Sequence, residues 1–350
     1  MAKNVFKVAS LFSGAGGLDL GFEKAGFEVT WANEYDKNIW ETYKANFPET
    51  DLAECSISDV DPSGIPEIDG FIGGPPCQSW SEAGAARGIE DKRGQLFFEY
   101  LRLVEAKKPL FFLAENVSGI LFSKHDEALN RILGHFADLG YNVSFGLLNA
   151  ADYGVPQDRH RVIIVGYQTH LNKFFKPPTA FEQKTTLREA IGDLADSAVP
   201  AKEKTYANND LKCPNHEFLV MDFSPIFMSR NRVRAWDEQS FTIQAGARHA
   251  PLHPQAPKMI SIGKDKRGFV PGAEDLYRRL TVREAARVQT FPDNHVFLYE
   301  NVSNGYKMIG NAVPVNFAEA MASQIKEDLQ GAEKTTKPLK TGQIRHFSEL

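Results

Sequence analysis

The chain has 350 residues, enough for two domains, and its 42% hydrophobic and 24% charged residues are typical of a soluble globular protein. It contains no run of the roughly 18 apolar residues that a membrane span needs and no signal-peptide core, so we expect a cytoplasmic protein without membrane contact. Its three cysteines, Cys55, Cys77 and Cys213, include no Cys-x-x-Cys pair. This spacing disfavours a disulfide framework or a thiolate zinc site, and we expect no bound metal.

Charge is unevenly distributed along the chain. The net charge is −5 overall, but residues 1–110 hold 11 basic and 18 acidic residues, a net charge of −7. Residues 225–290 hold 12 basic and 6 acidic residues, a net charge of +6. A basic segment in an acidic chain is typical of a local phosphate-binding face and so of a nucleic-acid partner, although a solvated charged surface has the same composition.

The N-terminal residues predict a βαβ unit with a glycine-rich turn. A strand over 5–12 is followed by the turn Ser13-Gly14-Ala15-Gly16-Gly17, an amphipathic helix and a second strand over 27–32. Glu34 follows that strand, where an acidic residue can hold the hydroxyls of a ribose. Asp19 replaces the third glycine of the dinucleotide pattern G-x-G-x-x-G. A carboxylate there suits a cofactor with a cationic amino-acid end, such as S-adenosylmethionine, better than a pyrophosphate.

Two later strands deliver reactive side chains to one edge of the predicted sheet. The apolar run 68–73 ends in Gly74-Pro75-Pro76-Cys77, and two prolines cannot continue a hydrogen-bonded ladder, so Cys77 lies at a strand end. The run 109–114 is apolar throughout, as in a strand covered on both faces, and ends at Glu115. Basic residues that could favour a Cys77 thiolate follow, namely Arg87, Lys92 and Arg93. A thiol and a carboxylate thus meet where α/β proteins place ligands.

Helices and strands continue to alternate along the chain up to about residue 168, where the sequence becomes proline-rich and less periodic. Helices are predicted over 96–107, 125–139, 280–291 and 316–329, and strands over 52–57, 143–149 and 162–166. The helix over 280–291 should begin with a capping box of Thr281 and Glu284. Proline-rich, weakly periodic sequence begins near residue 168, which predicts a domain boundary. Residues 331–350 are polar and aperiodic, and we expect a disordered tail there.

Six motifs resemble, in this order, those of the DNA cytosine-5 methyltransferases and span roughly residues 5–325. They are Leu11-Phe12-Ser13-Gly14-Ala15-Gly16-Gly17, Gly74-Pro75-Pro76-Cys77-Gln78-Ser79, Glu115-Asn116-Val117, Gln157-Asp158-Arg159-His160-Arg161, Arg279-Leu280-Thr281-Val282-Arg283-Glu284 and Gly310-Asn311-Ala312-Val313-Pro314. Segments 228–234 and 252–257 further resemble the GGCC-recognising modification methylases of bacterial restriction-modification systems.

The resemblance implies an α/β fold with a doubly wound, mixed but mostly parallel sheet of the S-adenosylmethionine-dependent methyltransferase type. The catalytic domain would comprise residues 1–168 and 292–330. A smaller target-recognition domain, with its hinge, would be inserted over 169–291. The implied partner is double-stranded DNA, bound by a monomer. The implied role is protection of host DNA from a cognate restriction endonuclease, without a stable complex between the two enzymes.

The resemblance also implies a DNA (cytosine-5-)-methyltransferase chemistry. Cys77 would add as a thiolate to C6 of a cytosine flipped out of the duplex, which activates C5 as the acceptor of the methyl group. A protonated Glu115 at N3 and Arg161 at O2 would stabilise the charge that builds on the ring.

Motif by motif, the implied S-adenosylmethionine site comprises Phe12, Gly14, Gly16, Asp19, Glu34, Tyr35, Ser56, Ile57, Pro76, Leu96, Asn311 and Val313. Phe12 and Tyr35 would contact the adenine. One position departs from the family pattern Gly-Asp-Ile, because this chain has Cys55-Ser56-Ile57. A serine accepts a hydrogen bond from the adenine amino group without charge, which weakens adenine recognition by about 1 kcal/mol. Asp59 is the alternative partner if the register is shifted.

DNA contacts are implied in two segments of the chain. Residues 78–96 would form a glycine-dotted lid that closes on the DNA and presents Ser81, Arg87 and Arg93. The basic segment supplies side chains of the kinds that read base edges in the major groove, namely Arg230, Arg232, Arg234, Gln244 and Arg248.

Three other functions use less of the sequence. An NAD-dependent oxidoreductase accounts only for the glycine turn and Glu34. A non-catalytic DNA-binding module has no need of both Cys77 and Glu115 at strand ends. A tRNA cytosine-5 methyltransferase of the same fold shares most of the motifs, although the long basic segment fits a duplex better. The sequence leaves open which cytosine is methylated and which base each arginine reads.

Overall fold

The computed structural model describes residues 5–76, 96–332 and 341–350. The strands are β1 (Lys7–Leu11), β2 (Glu28–Asn33), β3 (Asp51–Ala53), β4 (Gly70–Gly73), β5 (Phe111–Val117), β6 (Tyr141–Asn149), β7 (His160–Gln168), β8 (Val199–Pro200), β9 (Glu217–Phe218), β10 (Ile260–Gly263), β11 (Lys266–Gly268) and β12 (Ile344–His346). The α-helices are α1 (Gly17–Lys24), α2 (Lys37–Asn46), α3 (Leu96–Lys107), α4 (Asp126–Asp138), α5 (Leu187–Ile191), α6 (Val282–Val288), α7 (Val302–Asn311) and α8 (Val315–Gln330).

An eight-stranded sheet forms the centre of the fold, in the order β12-β6-β7-β5-β4-β1-β2-β3. The five strands from β5 to β3 pair in parallel, and β12 pairs in parallel with β6. Strand β7 runs antiparallel to both of its neighbours, β5 and β6. The predicted α/β class with a mixed, mostly parallel sheet is confirmed.

Strand β5 shows why both faces of the sheet are covered. Consecutive side chains of a strand point to opposite faces, and Phe111 and Phe112 are both fully buried. Phe111 packs in the cluster that contains Phe22 and Phe317, on the side of α1 and α8. Phe112 packs on the other side, where its ring centroid lies 3.9 Å from that of Phe136 in α4. The apolar run 109–114 is therefore the doubly covered strand that the sequence predicts.

Helix α2 was not predicted, because its sequence is polar and only Ile39, Thr42 and Tyr43 are buried. The carboxylate of Asp36 begins the helix by accepting a hydrogen bond from the backbone N–H of Asn38 at 3.1 Å. The helix places the Tyr43 hydroxyl next to Asp19 at the start of α1, which matters for the site described below.

The predicted disordered tail is wrong for residues 341–350. Strand β12 adds to the sheet edge by pairing Ile344–His346 with residues 143–145 of β6. The Phe347 ring packs where Gly146 leaves room, since a Cβ at Gly146 would lie 2.5 Å from Phe347 Cδ2. This pairing supplies hydrogen-bond partners for the backbone N–H and C=O groups that β6 would otherwise expose at the sheet edge. The sequence did not predict it, because hydrophobic periodicity does not reveal backbone pairing. Residues 333–340 lie outside the described part of the chain.

The segment between β7 and α8 packs in two hydrophobic clusters. One contains Phe227, Val233, Leu252, Ala256, Met259 and Tyr277 and lies beneath the antiparallel β10–β11 hairpin. The other joins side chains from both sides of position 292, including Ile243, Val288 and Val315. The domain boundaries at 168 and 292 therefore stay predictions. The capping box of Thr281 and Glu284 is confirmed at the start of α6. None of the helices in the described ranges is long and apolar enough to cross a membrane.

Candidate active site

A cavity of about 530 Å³ opens at the carboxyl ends of β1, β2, β4 and β5. This is the edge at which parallel α/β sheets bind ligands, and the volume is that of a small-molecule site. Of the predicted cofactor residues, those that line it are Phe12, Gly14, Glu34, Tyr35, Ser56, Ile57, Pro76, Leu96, Asn311 and Val313. Two of the three predicted catalytic residues, Glu115 and Arg161, line it as well.

The turn after β1 is shaped by left-handed backbone conformations. Phe12, Gly14 and Gly16 have φ angles of 56°, 57° and 79°. Gly14 donates its backbone N–H to Glu34 Oε2 at 2.9 Å, which joins the turns after β1 and β2. Gly16 does not line the cavity; a Cβ there would lie 2.0 Å from the Phe47 ring, so its role is close packing.

Two backbone hydrogen bonds hold the Glu34 carboxylate in a fixed position, as a residue that binds ribose hydroxyls requires. Its other oxygen, Oε1, accepts the backbone N–H of Asp36 at 2.7 Å, and burial raises the pKa of the carboxyl. The Tyr35 ring is 75% exposed and lines the cavity, so a flat apolar face is available beside the carboxylate. A diol acceptor next to an open aromatic ring is a combination that binds nucleosides.

The loop after β3 carries the departure from the family pattern. Ser56 and Ile57 line the cavity, whereas Asp59 does not, so Ser56 is the one of the two polar candidates that a ligand in the cavity can reach. The buried Asn33 amide positions this loop by donating to the carbonyls of Ala53 and Cys55 at 3.1 and 2.9 Å. Asn33 lines the cavity too, and the motifs did not single it out.

Asp19 is placed differently from the prediction. It does not line the cavity and is completely buried. Its carboxylate accepts hydrogen bonds from Ser10 Oγ at 2.5 Å and from the Tyr43 hydroxyl at 2.7 Å. The predicted direct contact of Asp19 with a ligand in this cavity does not fit the structure, because Ser10, which lines the cavity, lies between the cavity and Asp19. The reason is that α2, which the sequence did not predict, covers Asp19 with Tyr43.

Glu115 and Arg161 form an ion pair at the cavity edge. Arg161 Nε lies 2.6 Å from Glu115 Oε1, and each side chain is only 12% exposed. The antiparallel register of β5 and β7 brings them together, because Val117 lies opposite Arg161. A Cβ at Gly74 would lie 3.1 Å from Glu115 Oε2, so the end of β4 approaches the same carboxylate. A carboxyl and a guanidinium are thus held side by side where three strands meet.

Asn116 fixes the turn that leads to the predicted nucleophile. The Asn116 amide, 1% exposed, donates to the carbonyl of Pro75 at 3.2 Å. Its oxygen accepts the backbone N–H of Val117 at 2.9 Å. Pro76 is the last described residue of the turn, and Cys77 itself lies outside the described residues. Asn116 belongs to the motif Glu115-Asn116-Val117, but the sequence predicted no role for it.

Side chains from α7 and from the residues before β7 complete the opposite wall. Lys307 lines the cavity, and its Nζ lies 2.7 Å from Asp36 Oδ2, which also lines it. Arg159 donates to the carbonyls of Gly310 and Ala312 at 3.0 and 2.9 Å. These bonds fix the turn that presents Asn311. Neither Lys307 nor Arg159 was predicted as a site residue, because their partners lie far away in sequence.

The predicted DNA-contact residues fall into three groups. Arg230, Gln244 and Arg248 are exposed and available to a ligand. Arg232 donates to the carbonyls of Phe227 and Ile226 at 2.8 and 3.1 Å, so its guanidinium is engaged within the protein. Arg234 lies 3.1 Å from Asp158 and over the Phe241 ring. The third group, Ser81, Arg87 and Arg93, lies outside the described residues, as does most of the predicted lid.

The comparisons with known proteins decide the family. Residues 6–327 match the C-5 cytosine-specific DNA methylase family. The chain belongs to this family. It is 55% identical over 332 residues to the type II methyltransferase M.NgoPII of Neisseria gonorrhoeae, which covers 93% of this chain and 97% of that protein. It is also 55% identical over 325 residues to M.MthTI of Methanothermobacter thermautotrophicus, over 93% of this chain and 98% of the relative.

A solved structure agrees with the assignment. A prophage-encoded Escherichia coli protein described as a DNA modification methyltransferase matches with a TM-score of 0.71 at 25% identity, over 93% of this chain and 99% of that one. The predicted enzyme class, a DNA (cytosine-5-)-methyltransferase, is confirmed. The NAD-dependent oxidoreductase and the non-catalytic module are excluded. Within the described ranges, this methyltransferase has no cluster of three or more side chains that could hold a metal ion.

Proposed function

We propose that the enzyme methylates C5 of a flipped-out cytosine in duplex DNA, within GGCC, through a covalent bond between Cys77 and C6. One observation carries the proposal. The Glu115–Arg161 pair lies at the edge of a nucleoside-sized cavity, beside the Gly74-Pro75-Pro76 turn that continues into Cys77. Acid, cation and nucleophile are the three groups that this reaction needs on one side of a pyrimidine ring.

The residues of the cavity fit S-adenosylmethionine. Glu34 offers a partly buried carboxylate to a ribose diol, and Tyr35 offers an open ring to adenine. Asn311 and Val313 line the wall at which the methionine end is expected. When bound, this cofactor supplies a methyl group activated on a sulfonium. The relatives are type II methyltransferases, which supports this cofactor for the present chain.

The chemistry of the chain then follows from these positions. The Cys77 thiolate would form a bond to C6 of cytosine, and the electron pair of the C5–C6 double bond would move toward N3 and O2. Glu115 at N3 and Arg161 at O2 would stabilise that charge, each by a few kcal/mol, or roughly 10² to 10³ in rate. In the free enzyme these two side chains pair with each other, which places both beside the one edge of a cytosine that carries N3 and O2.

After C5 has accepted the methyl group, loss of the C5 proton would restore the aromatic ring and expel the Cys77 thiolate. Solvent water would accept the C5 proton, and the electron pair of the C5–H bond would re-form the C5–C6 double bond as the bond between C6 and the Cys77 sulfur breaks. A stacked base cannot reach these groups, so the target cytosine must leave the helix. The lid over 78–96 that would close on the flipped base stays a prediction, because nearly all of it lies outside the described residues.

DNA recognition is proposed for the basic segment 225–290. Arg230, Gln244 and Arg248 are exposed and are of the types that pair with base edges. Because Arg232 and Arg234 are bonded within the protein, we expect them to hold the reading segment in shape in the free enzyme. Action as a monomer, a cytoplasmic location and protection against a cognate endonuclease also stay proposals. GGCC rests on the resemblance of segments 228–234 and 252–257.

The test is methyl transfer from tritiated S-adenosylmethionine to short duplexes that contain GGCC, to the same duplexes with the site scrambled, and to bulk tRNA. Label confined to the GGCC duplex, and lost when its cytosines are replaced by 5-methylcytosine, is the expected result. Label on the scrambled duplex would overturn the sequence specificity, and label on tRNA alone would move the substrate to RNA. Cys77→Ser should abolish transfer while DNA binding persists; full turnover in this variant would remove the covalent mechanism.

A further inference from the structure

Asp19 is a buried carboxylate that the proposed chemistry does not use. It is completely inaccessible to solvent and forms no ion pair with any residue in the described ranges. The groups that face it are the Ser10 hydroxyl from β1, the Tyr43 hydroxyl from α2 and the Glu23 carboxylate from its own helix. The two hydroxyls and a backbone N–H of α1 donate to the carboxylate, but within the described ranges no cation pairs with it. An unpaired buried carboxylate is energetically costly and calls for an explanation.

The cavity lies one side chain away from this carboxylate. Ser10 lines the cavity while its hydroxyl donates to Asp19, and Leu18, the neighbour of Asp19 in α1, lines it as well. Burial raises the pKa of the Asp19 carboxyl to about 7, against the opposing effect of the two hydroxyl donors. The carboxyl is therefore poised between its neutral and charged forms near neutral pH. A cation that enters the adjacent cavity would favour the charged form.

The proposed cofactor carries a sulfonium cation, which its demethylated product lacks. S-adenosylmethionine carries a sulfonium in addition to the amino-acid zwitterion, whereas S-adenosylhomocysteine has lost that charge along with the methyl group. We propose that Asp19, acting through Ser10, is a positioning residue that makes the cavity prefer the methyl donor over the demethylated product. This inference rests on the proposed function, because it assumes that this cavity holds S-adenosylmethionine.

The preference has an expected size and an expected proton linkage. Coulomb attraction between unit charges several ångströms apart, at an effective dielectric constant of about 20, corresponds to roughly ten-fold or more in affinity. Because burial brings the pKa of the Asp19 carboxyl to about 7, binding of the cation should release protons from Asp19 near neutral pH. Affinity for the methyl donor should thus rise as the pH increases through 7, relative to affinity for the product.

The test is isothermal titration calorimetry with three ligands: S-adenosylmethionine, sinefungin, which bears an amine in place of the sulfonium, and S-adenosylhomocysteine. Asp19→Asn should reduce the affinity ratio of either cationic ligand to S-adenosylhomocysteine by about ten-fold or more. Asp328→Asn is the matched control, because Asp328 also accepts a hydrogen bond from a tyrosine hydroxyl, that of Tyr167, but lies outside the cavity; this variant should leave the ratio unchanged. An unchanged ratio in folded Asp19→Asn enzyme would overturn the inference.

A second measurement needs no variant. Titrations of the wild-type enzyme at pH 7 in two buffers of different ionisation enthalpy report the protons exchanged on binding. Glu34 also has a raised pKa, but it faces the ribose that all three ligands share, so its contribution cancels in the comparison. Equal proton release with S-adenosylmethionine and S-adenosylhomocysteine would refute the inference about Asp19. Failure of all three ligands to bind would instead refute the proposed cofactor.

Discussion

Gly310→Ala should disturb the close packing of residues 244–245 against α7 and leave the chemical step of methyl transfer less affected. Gly310 lies one residue before the end of α7, and a Cβ there would come within 2.2 Å of the carbonyl carbon of Gln244 and 2.3 Å of the nitrogen of Ala245. Both atoms belong to the backbone, so no side-chain rotation relieves the overlap. The segment around 244–245 must move outward, away from the hydrogen bond that Arg159 donates to the Ile243 carbonyl at 2.9 Å.

The expected cost of Gly310→Ala combines opposing effects. Alanine in a helix gains about 1 kcal/mol over glycine from propensity. Overpacking against backbone costs roughly 1–3 kcal/mol, and strained hydrogen bonds at Ile243 cost about 1 kcal/mol each. We therefore expect a net loss of about 1–3 kcal/mol in the free energy of unfolding. Because Gln244 and Arg248 lie in the displaced segment, KM for DNA should rise roughly ten-fold while kcat at saturating DNA changes less.

The assays are urea unfolding and methyl transfer at varied DNA concentration, with Gly134→Ala as the matched control. Gly134 lies inside α4, and no atom lies within 4 Å of its would-be Cβ. The control should be as stable as wild type or more stable by up to about 1 kcal/mol, with unchanged kinetics. If Gly310→Ala behaved like this control, the close approach of the recognition segment to α7 would be refuted.

Three further predictions test other parts of the structure. Asn116→Ala removes the bond to the Pro75 carbonyl and should lower kcat about ten-fold with little change in DNA affinity; an unchanged single-turnover rate would contradict its positioning role. Ser56→Asp should tighten S-adenosylmethionine binding by roughly five- to ten-fold in calorimetry, and weaker binding would show that Ser56 does not meet the adenine. Phe347→Ala should reduce the free energy of unfolding by about 1–3 kcal/mol without changing kcat; unaltered unfolding would show that the C-terminal strand adds no stability.

The sheet edge that holds the candidate site was predictable from sequence because its main features are local. Glu115 follows an apolar run, whereas the position of Arg161 beside it depends on the antiparallel pairing of β5 with β7, which the sequence did not predict. The carboxyl ends of parallel strands meet at one edge, so two strand ends predict one site without knowledge of the packing. The same logic placed Glu34 after β2 and the Pro-Pro turn after β4. These predictions required only the strands and their direction.

Side-chain partners across the fold were not predictable in this way. Asp36 and Lys307 pair at 2.7 Å although 271 positions separate them. Asp19 was expected to face a ligand, but α2 covers it with Tyr43, and the polar sequence of α2 gave no clear periodicity. Arg232 is of a residue type that reads DNA bases, but its guanidinium donates to the backbone carbonyls of Phe227 and Ile226 in its own segment. In each case the residue type was informative and its partner depended on tertiary packing.

A buried polar network joins the recognition segment to the cofactor wall. Gln157 Oε1 accepts the backbone N–H of Ile243 at 2.7 Å, and Gln157 Nε2 donates to Gln289 Oε1 at 2.7 Å. Gln289 in turn donates to the carbonyls of Ile309 and Ala312 at 2.8 and 3.1 Å.

The side chains of Gln157, Arg159 and Gln289 are buried, and a buried polar group that loses its hydrogen-bond partner costs about 1–3 kcal/mol. If one of the segments that they join moves, the other segments must therefore move with it or leave a polar group without a partner. Arg159 bonds to both sides, at Ile243 and at Gly310. Displacement of the segment that bears Gln244 and Arg248 is thereby coupled to the wall that presents Asn311 and Val313. We therefore predict that DNA changes the affinity for S-adenosylmethionine in calorimetry and that Gln157→Ala weakens this coupling; equal cofactor affinity with and without DNA in the wild-type enzyme would contradict the prediction.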